Sequence, residues 1–417
     1  MTSFLHLSAE LKLSVIEQLD NDIDTLLSIS RVCRILRLFV APFVFNTVVL
    51  RNSEKSGRSI AALGAQDNPI SLAHLVREFH YKGSIVPPVS ETIGPDGPPK
   101  KFETSDFPDV VDAVLGNLAA FPNLEKLVVE FTLDGRYDYD IYLYEDEETT
   151  EMMVKAEEDE AWRTVMAKSW DAISRNHGFV KSLEIRNLIP KEVSTWTNES
   201  SRFRDFLVGL ENIKISILGH DNGVGWSIST TEGYRYFGEQ LDVFFFNHLQ
   251  NVTRFEYSAW EDAPPGLSDR YDSHHYRLPL QGGQMPRLRQ LVLSDCFIST
   301  FLADFIRSLA PTLQSLVLRK CHAGDRELVD GGQISWGNFF NFVYDAEMAS
   351  LTELVVDLLA GTSKEESERK DGVTYFSYAE LTRKYGDCWA RENSEEADND
   401  WKAWTRLTRM VEEKKDV

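Results

Sequence analysis

The sequence predicts an α/β protein: a short unit of three helices, then an irregular solenoid of strand–helix repeats, with parallel strands on one face and helices on the other. Three observations predict it. Residues 288–299, LRQLVLSDCFIS, and 313–324, LQSLVLRKCHAG, align without gaps at an offset of 25. Amphipathic helical stretches alternate with short apolar strands through most of the chain. Residues 7–45 are dense in Leu, Ile and Val yet punctuated by acids and arginines, a compact helical unit at the start of the chain.

Composition bounds the reading. A chain of 417 residues is longer than one compact core usually holds, so it is two or three domains or one elongated array. Hydrophobic content of 42% with 11% aromatics is that of a folded protein. The net charge of −22 argues against nucleic acid or a membrane surface as main partner, since phosphate binding needs clustered Lys and Arg. Residues 145–160 hold nine acids against one Lys and read as a solvated loop running into a charged helix start. The four cysteines have no C-x-x-C spacing, the N-terminus has no secretory pattern, and no apolar run suffices for a membrane span. A reducing compartment, cytoplasm or nucleus, is expected.

The first helix starts at the cap Ser8 and places Leu11, Val15 and Leu19 on one face, with Ile16 beside them. Asp24 can cap a second helix carrying Leu26, Leu27, Ile29 and Val32. A third carries Ile35, Leu36 and Phe39 and is expected to stop before Pro42. Physics alone leaves two readings: an N-terminal cap on a larger domain, or a unit built to be covered by a partner. The ordered set Leu7, Glu10, Leu11, Ile16, Leu19, Asp24, Leu26, then Val32-Cys33-Arg34-Ile35-Leu36-Arg37, resembles an F-box. The following APFVFNTVVL is similar to a Pro-x-x-Phe segment of fungal members. Ser8 stands where the family usually has Pro, and Leu36 where many members have Trp.

The gapless pair maps Leu288, Leu291, Leu293 and Cys296 onto Leu313, Leu316, Leu318 and Cys321. That is the L-x-x-L-x-L-x-x-C/N signature of leucine-rich repeats. The two residues of L-x-L share the inward face of a strand, and the Cys leaves it at a turn. Weaker copies place inward pairs at Leu127/Val129, Leu183/Ile185, Ile213/Ile215, Phe255/Tyr257 and Leu354/Val356, and least securely at Phe79/Tyr81. Amphipathic helices precede most copies, the one before the copy at 180 with Gly178 as C-cap. Copies starting at 124, 180, 210, 252, 288, 313 and 351 are unevenly spaced, so long insertions are expected at the surface. The competing fold is a single non-repeat α/β domain with a parallel sheet. Residues 88–106 and 361–372 read as polar breaks. A last helix with Trp401, Trp404 and Leu407 suits a cap over the final repeat. The divisions are thus 1–46, 47–360 and 361–417.

No nucleotide-binding, zinc-protease or nucleophile-elbow motif is present, and no catalytic residue, metal or cofactor is assigned. The Gly-rich 218–227 lacks a nearby basic residue and reads as a loop, as do His274 and His275, which as neighbours on an extended segment point opposite ways. The F-box resemblance implies a substrate-recognition subunit of a Skp–cullin–F-box ubiquitin ligase. It binds the Skp adaptor, and through it cullin, while the repeats hold a target protein. Other subunits transfer ubiquitin, so this chain is not an enzyme. Adaptor contacts are expected at Leu7, Leu11, Ile16, Leu19, Leu26, Val32 and Leu36. Target contacts are expected at strand positions facing outward or just beyond, namely Glu184, Arg186, Lys214, Glu256, Arg319 and Lys320, and at Trp260 in the insertion 257–276. Packing is the stronger reading for Trp260, Tyr271 and Tyr276. The negative chain is expected to prefer a basic patch on its target. The alternative is a leucine-rich-repeat scaffold unconnected to ubiquitin ligation, and a third reading is an enzyme assembled from loops around a deep pocket.

Overall fold

The computed structural model describes residues 7–19, 22–65, 72–85, 107–133, 149–197, 202–219, 232–266, 276–324, 334–357, 376–381, 386–390 and 395–415. The segments 88–106, 145–148, 220–227 and 361–372, with Tyr271, His274 and His275, lie outside them.

Helices α1 (Ala9–Glu17), α2 (Ile23–Val32) and α3 (Arg34–Val44) come first. Strand β1 (Thr47–Arg51), helix α4 (Glu54–Gly64) and β2 (Glu78–Ile85) follow. Next are α5 (Asp109–Leu115), β3 (Lys126–Leu133), α6 (Thr150–Asp159), α7 (Ala161–Ser174) and β4 (Ser182–Leu188). Then come α8 (Ser194–Thr197), α9 (Arg202–Val208), β5 (Asn212–Ile217), α10 (Glu232–Glu239), α11 (Leu241–Phe244) and β6 (Arg254–Ser258). The chain continues through β7 (Gln290–Ser294), α12 (Thr300–Ser308), β8 (Ser315–Arg319), β9 (Ala323–Gly324), α13 (Trp336–Asp345) and β10 (Glu353–Val356). It closes with β11 (Ser377–Leu381), β12 (Gly386–Ala390) and α14 (Glu395–Lys415).

The main sheet has nine strands in the order β1-β2-β3-β4-β5-β6-β7-β8-β10, following chain order with only β9 left out, and every pairing is parallel. The fold is therefore mixed α/β, with helices between most successive parallel strands; between β6 and β7 no helix is present among the described residues. Register turns the L-x-L pattern into two continuous rows. One runs Phe79, Leu127, Leu183, Ile213, Phe255, Leu291, Leu316, Leu354. The other runs Tyr81, Val129, Ile185, Ile215, Tyr257, Leu293, Leu318, Val356 in the same order. Both rows face one hydrophobic core shared with the helices, through residues such as Trp170, Phe203, Phe245, Phe305 and Phe340. A one-residue slip would turn either row to solvent, so burial holds the register.

The backbone repeats as well. Before β5, β6, β7, β8 and β10 the carbonyl of one residue accepts two successive N–H groups of the next unit: Lys181, Glu211, Thr253, Arg289 and Gln314. At the strand exits Asn187, Asp295 and Lys320 adopt left-handed φ of 52°, 57° and 47°. Cys296 and Cys321 follow the last two and are buried, their thiols near the carbonyls of Ser294 (3.2 Å) and Leu293 (3.6 Å). Burial raises both thiol pKa values, that of Cys321 to about 12, which suits inert packing and not a nucleophile.

Four local expectations change. Helix α3 runs through Pro42 and ends two residues later. Pro42 is exposed, so the Leu38 carbonyl it leaves unpaired faces water, while Phe45 N–H still reaches Ala41 O (2.9 Å). Asp22, not Asp24, caps α2, accepting from Thr25 N–H (3.0 Å) and Thr25 Oγ1–H (2.7 Å). Ten of the residues assigned to the acidic run form helix α6, held because Met153 is buried and Glu157 accepts from Ser194 N–H (2.7 Å). Helix α7 ends at Ser174, and Gly178, at φ 74°, serves the turn beyond it.

Helix α14 closes the far end. Phe340 meets Trp404 at 5.1 Å between rings, and Phe376 meets Trp401 at 5.1 Å. The buried Asp400 accepts from Gly337 N–H (2.6 Å) and from the Tyr378 hydroxyl (2.6 Å), tying the helix to the start of α13 and to β11.

Candidate functional site

Two surfaces stand out. The first is the N-terminal helical unit. Ile16, Leu26 and Val40 form a small core of their own, with Leu19, Ile29, Phe39, Phe43 and Val44 packed partly around it. Arg37 Nε donates to Ser30 O (3.2 Å), bracing α3 against α2. The rest of the aliphatic content stays outside. Leu11, Leu13, Val15, Ile23, Val32, Ile35 and Leu38 are exposed, seven of the thirteen large hydrophobic residues so exposed among those described. One exposed Leu carries no information, but this concentration within three short helices does.

The expected adaptor contacts divide accordingly. Leu11 and Val32 are 55% and 65% exposed and available to a partner. Leu7 and Leu19 are half-buried. Ile16, Leu26 and Leu36 are buried, so their role here is internal packing. Spacing alone could not separate the two sets, because three short helices have more apolar residues than their shared core can cover. Ile35 and Leu38, one turn apart on α3, are exposed positions that were not among the expected adaptor contacts.

The second surface is the face of the main sheet turned away from the core. Alternation places Glu78, Lys126, Glu184, Arg186, Lys214, Arg254 and Glu256 there, and the register brings them together. Lys126 Nζ lies 2.5 Å from Glu184 and 3.4 Å from Glu78. Arg186 grips Glu184 with Nε at 2.8 Å and Nη2 at 3.3 Å. Lys214 Nζ lies 2.7 Å from Glu256, and Arg254 reaches the same carboxylate at 3.9 Å. Burial would raise the Glu184 carboxyl, but hydrogen bonds and charge from Arg186 and Lys126 outweigh it and hold it at about 2. A cavity of about 410 Å³ opens between these two clusters of ion pairs, lined by Lys126, Glu184, Asn212, Lys214, Arg254 and Glu256.

Four expected target contacts thus lie on one face in two neighbouring ion-pair clusters, Glu184 and Arg186 in the first and Lys214 and Glu256 in the second, with a correction. The carboxylates are recessed: the side chains of Glu184 and Glu256 are 9% and 12% exposed, against 39% for Arg186, 43% for Lys214 and 54% for Arg254. What solvent meets is mainly cationic. Lys126 and Arg254 were missed, although each directly precedes an inward residue of its copy, which was the available signal. Arg319 and Lys320 lie apart at the end of β8, Lys320 being 3.6 Å from Glu261. Trp260 is half-buried and packs against the core over Gly219, where a Cβ would sit 2.1 Å from the ring, in keeping with the packing reading. Tyr276 is fully buried.

Among the described residues no three His, Cys, Asp or Glu converge as metal ligands. No helix among them is long and apolar enough to cross a membrane. Compared with known family models and with curated proteins, the chain matches none of either.

Proposed function

We propose that this chain is a substrate-recognition subunit of a Skp–cullin–F-box ubiquitin ligase. The observation that carries the reading is the N-terminal unit. Its ordered residues resemble an F-box, and it has a small core of its own and a set of uncovered aliphatic side chains that a partner would bury. Residues 1–46 form the docking module, 47–360 an irregular leucine-rich-repeat solenoid, and 361–417 a polar segment with a capping helix. The eight aligned copies of L-x-L and the repeated hydrogen bonds at strand starts support the solenoid. The adaptor binds Leu11 and Val32, with Ile35 and Leu38 adding to the same contact. A target rests on the outward face of the sheet. The chain contributes no catalytic residue: it raises the effective concentration of a target near the charged conjugating enzyme.

The test is binding of the purified full chain to a Skp adaptor. Leu11→Asp and Val32→Asp should each weaken it at least tenfold while leaving the fold intact, because a charge replaces an exposed apolar anchor. Ile16→Asp would be uninformative, since it places a carboxylate in the small core and unfolds the unit. No binding by the folded wild-type chain refutes the ligase reading and leaves a leucine-rich-repeat interaction scaffold.

A further inference from the structure

The outward face of the sheet differs in sign from the molecule that carries it. Its strand positions hold seven cations (Arg51, Lys82, Lys126, Arg186, Lys214, Arg254, Arg319) and five carboxylates (Glu78, Glu130, Glu184, Glu256, Glu353). The chain as a whole is −22. The carboxylates between β3 and β6 are also the less exposed partners. Glu130, Glu184 and Glu256 keep 17%, 9% and 12% of their side-chain surface, and each is engaged by a Lys or Arg that reaches further into solvent.

The cationic character extends past the starts of the same strands. A second cavity, of about 650 Å³, is lined by Lys181, Glu211, Thr253, Arg287 and Arg289 among others. Lys181, Glu211 and Thr253 directly precede Ser182, Asn212 and Arg254 of the first cavity, so the two adjoin. Arg287 and Arg289 are exposed and form no ion pair with another described residue. Their guanidinium groups have unused donors in the planar fork that suits a carboxylate.

Resting on the reading of this face as the target surface, we propose that its target chemistry is an acidic polypeptide segment, whose carboxylates meet Lys126, Lys214 and Arg254 in one cavity and Arg287 and Arg289 in the next. This reverses the preference expected from net charge alone. Long-range attraction follows the whole chain, but affinity at contact follows the groups within a Debye length of about 8 Å. Cations recur on neighbouring strands about 4.8 Å apart, so a segment crossing the strands meets them in succession.

Nucleic acid fits the same groups less well. Among the described strands no outward position carries Phe, Tyr or Trp, so these strands offer no such platform for stacked bases. The recessed Glu184 and Glu256 would face a phosphate backbone, and the rest of a chain at −22 repels a long polyanion. A short acidic segment brings only a few charges and can donate backbone N–H groups to those recessed carboxylates.

The test selects a displayed library of random twelve-residue peptides on the full-length chain. The same selection runs on two variants, Lys214→Gln/Arg254→Gln and Arg287→Gln/Arg289→Gln. The second variant removes only unpaired surface groups, so it keeps the fold even if the first does not. The expected result is a pool at least twofold enriched in Asp and Glu, whose members lose tenfold or more in affinity on the second variant. A pool without acid enrichment, an empty selection, or unchanged affinity on that variant overturns the proposal. So does a twelve-nucleotide single-stranded RNA that binds more tightly than the selected peptides. Adaptor binding measured on the same preparations keeps the readings separate: acid selection without adaptor binding spares this site and removes the ligase.

Discussion

At the residue scale, side chains of like type are divided by their surroundings. Burial pushes the imidazole of His322, whose Nδ1 lies 2.5 Å from Ser377 Oγ, down to about 4. The unfolded chain then binds a proton that the folded chain refuses, so stability falls as pH drops from about 6.5 to about 4 and stays level below. Asp295 acts in the opposite sense. Burial raises its carboxyl to about 6, with Lys320 opposing and Glu261 adding, so the folded chain holds a proton that the unfolded chain releases above about 3.8. The two offset each other between about pH 4 and 6. Replacing one isolates it. Urea unfolding of His322→Gln should lose less stability than wild type between pH 7 and 4, by on the order of 3 kcal/mol. Equal pH slopes for the two proteins would show that His322 is protonated as readily in the folded state as in the unfolded one.

At the element scale, helix α14 decides whether the sheet can end. Its neighbours Trp336, Phe339 and Phe340 are fully buried and would otherwise lie open. Asp400 anchors the helix through two buried donors, the Gly337 N–H and the Tyr378 hydroxyl. Asp400→Ala strands both and should cost about 2–4 kcal/mol in urea unfolding. Asp400→Asn keeps one acceptor and should cost less. Equal losses for the two variants would mean that the helix is held by its aromatic contacts alone.

At the scale of the whole molecule, the large core and the three-residue core of α1 to α3 are unequal. Local opening follows local burial. Amides of α1 to α3 should exchange hydrogen at least tenfold faster than those of β3 to β8, and a bound Skp adaptor should slow them by mass action on the folded unit. Exchange in α1 to α3 as slow as in β3 to β8 without any partner would mean that the exposed aliphatic residues do not signal an incomplete unit. The same scale governs charge. A chain at −22 still presents a cationic sheet face, because carboxylates recessed between strands take up the lower layer of the ladder.

Local pattern was enough to place eight of the nine main strands and to set which of their residues face inward, since a period of two needs only neighbours in sequence. The caps at Ser8 and the buried positions of Cys296 and Cys321 were legible for the same reason. Strand β1 was not: five residues directly after a helix give no second copy to align. Nor could sequence separate Leu11 from Ile16, or find that Lys126 sits on Glu184 across 58 positions of chain. Exposure and ion pairing are properties of neighbours in space, and those neighbours come from other strands. The sequence by itself determined the parallel α/β plan and its inward rows; the tertiary structure alone decided which aliphatic residues remain uncovered, which carboxylates lie beneath the cations, and hence what each surface can bind.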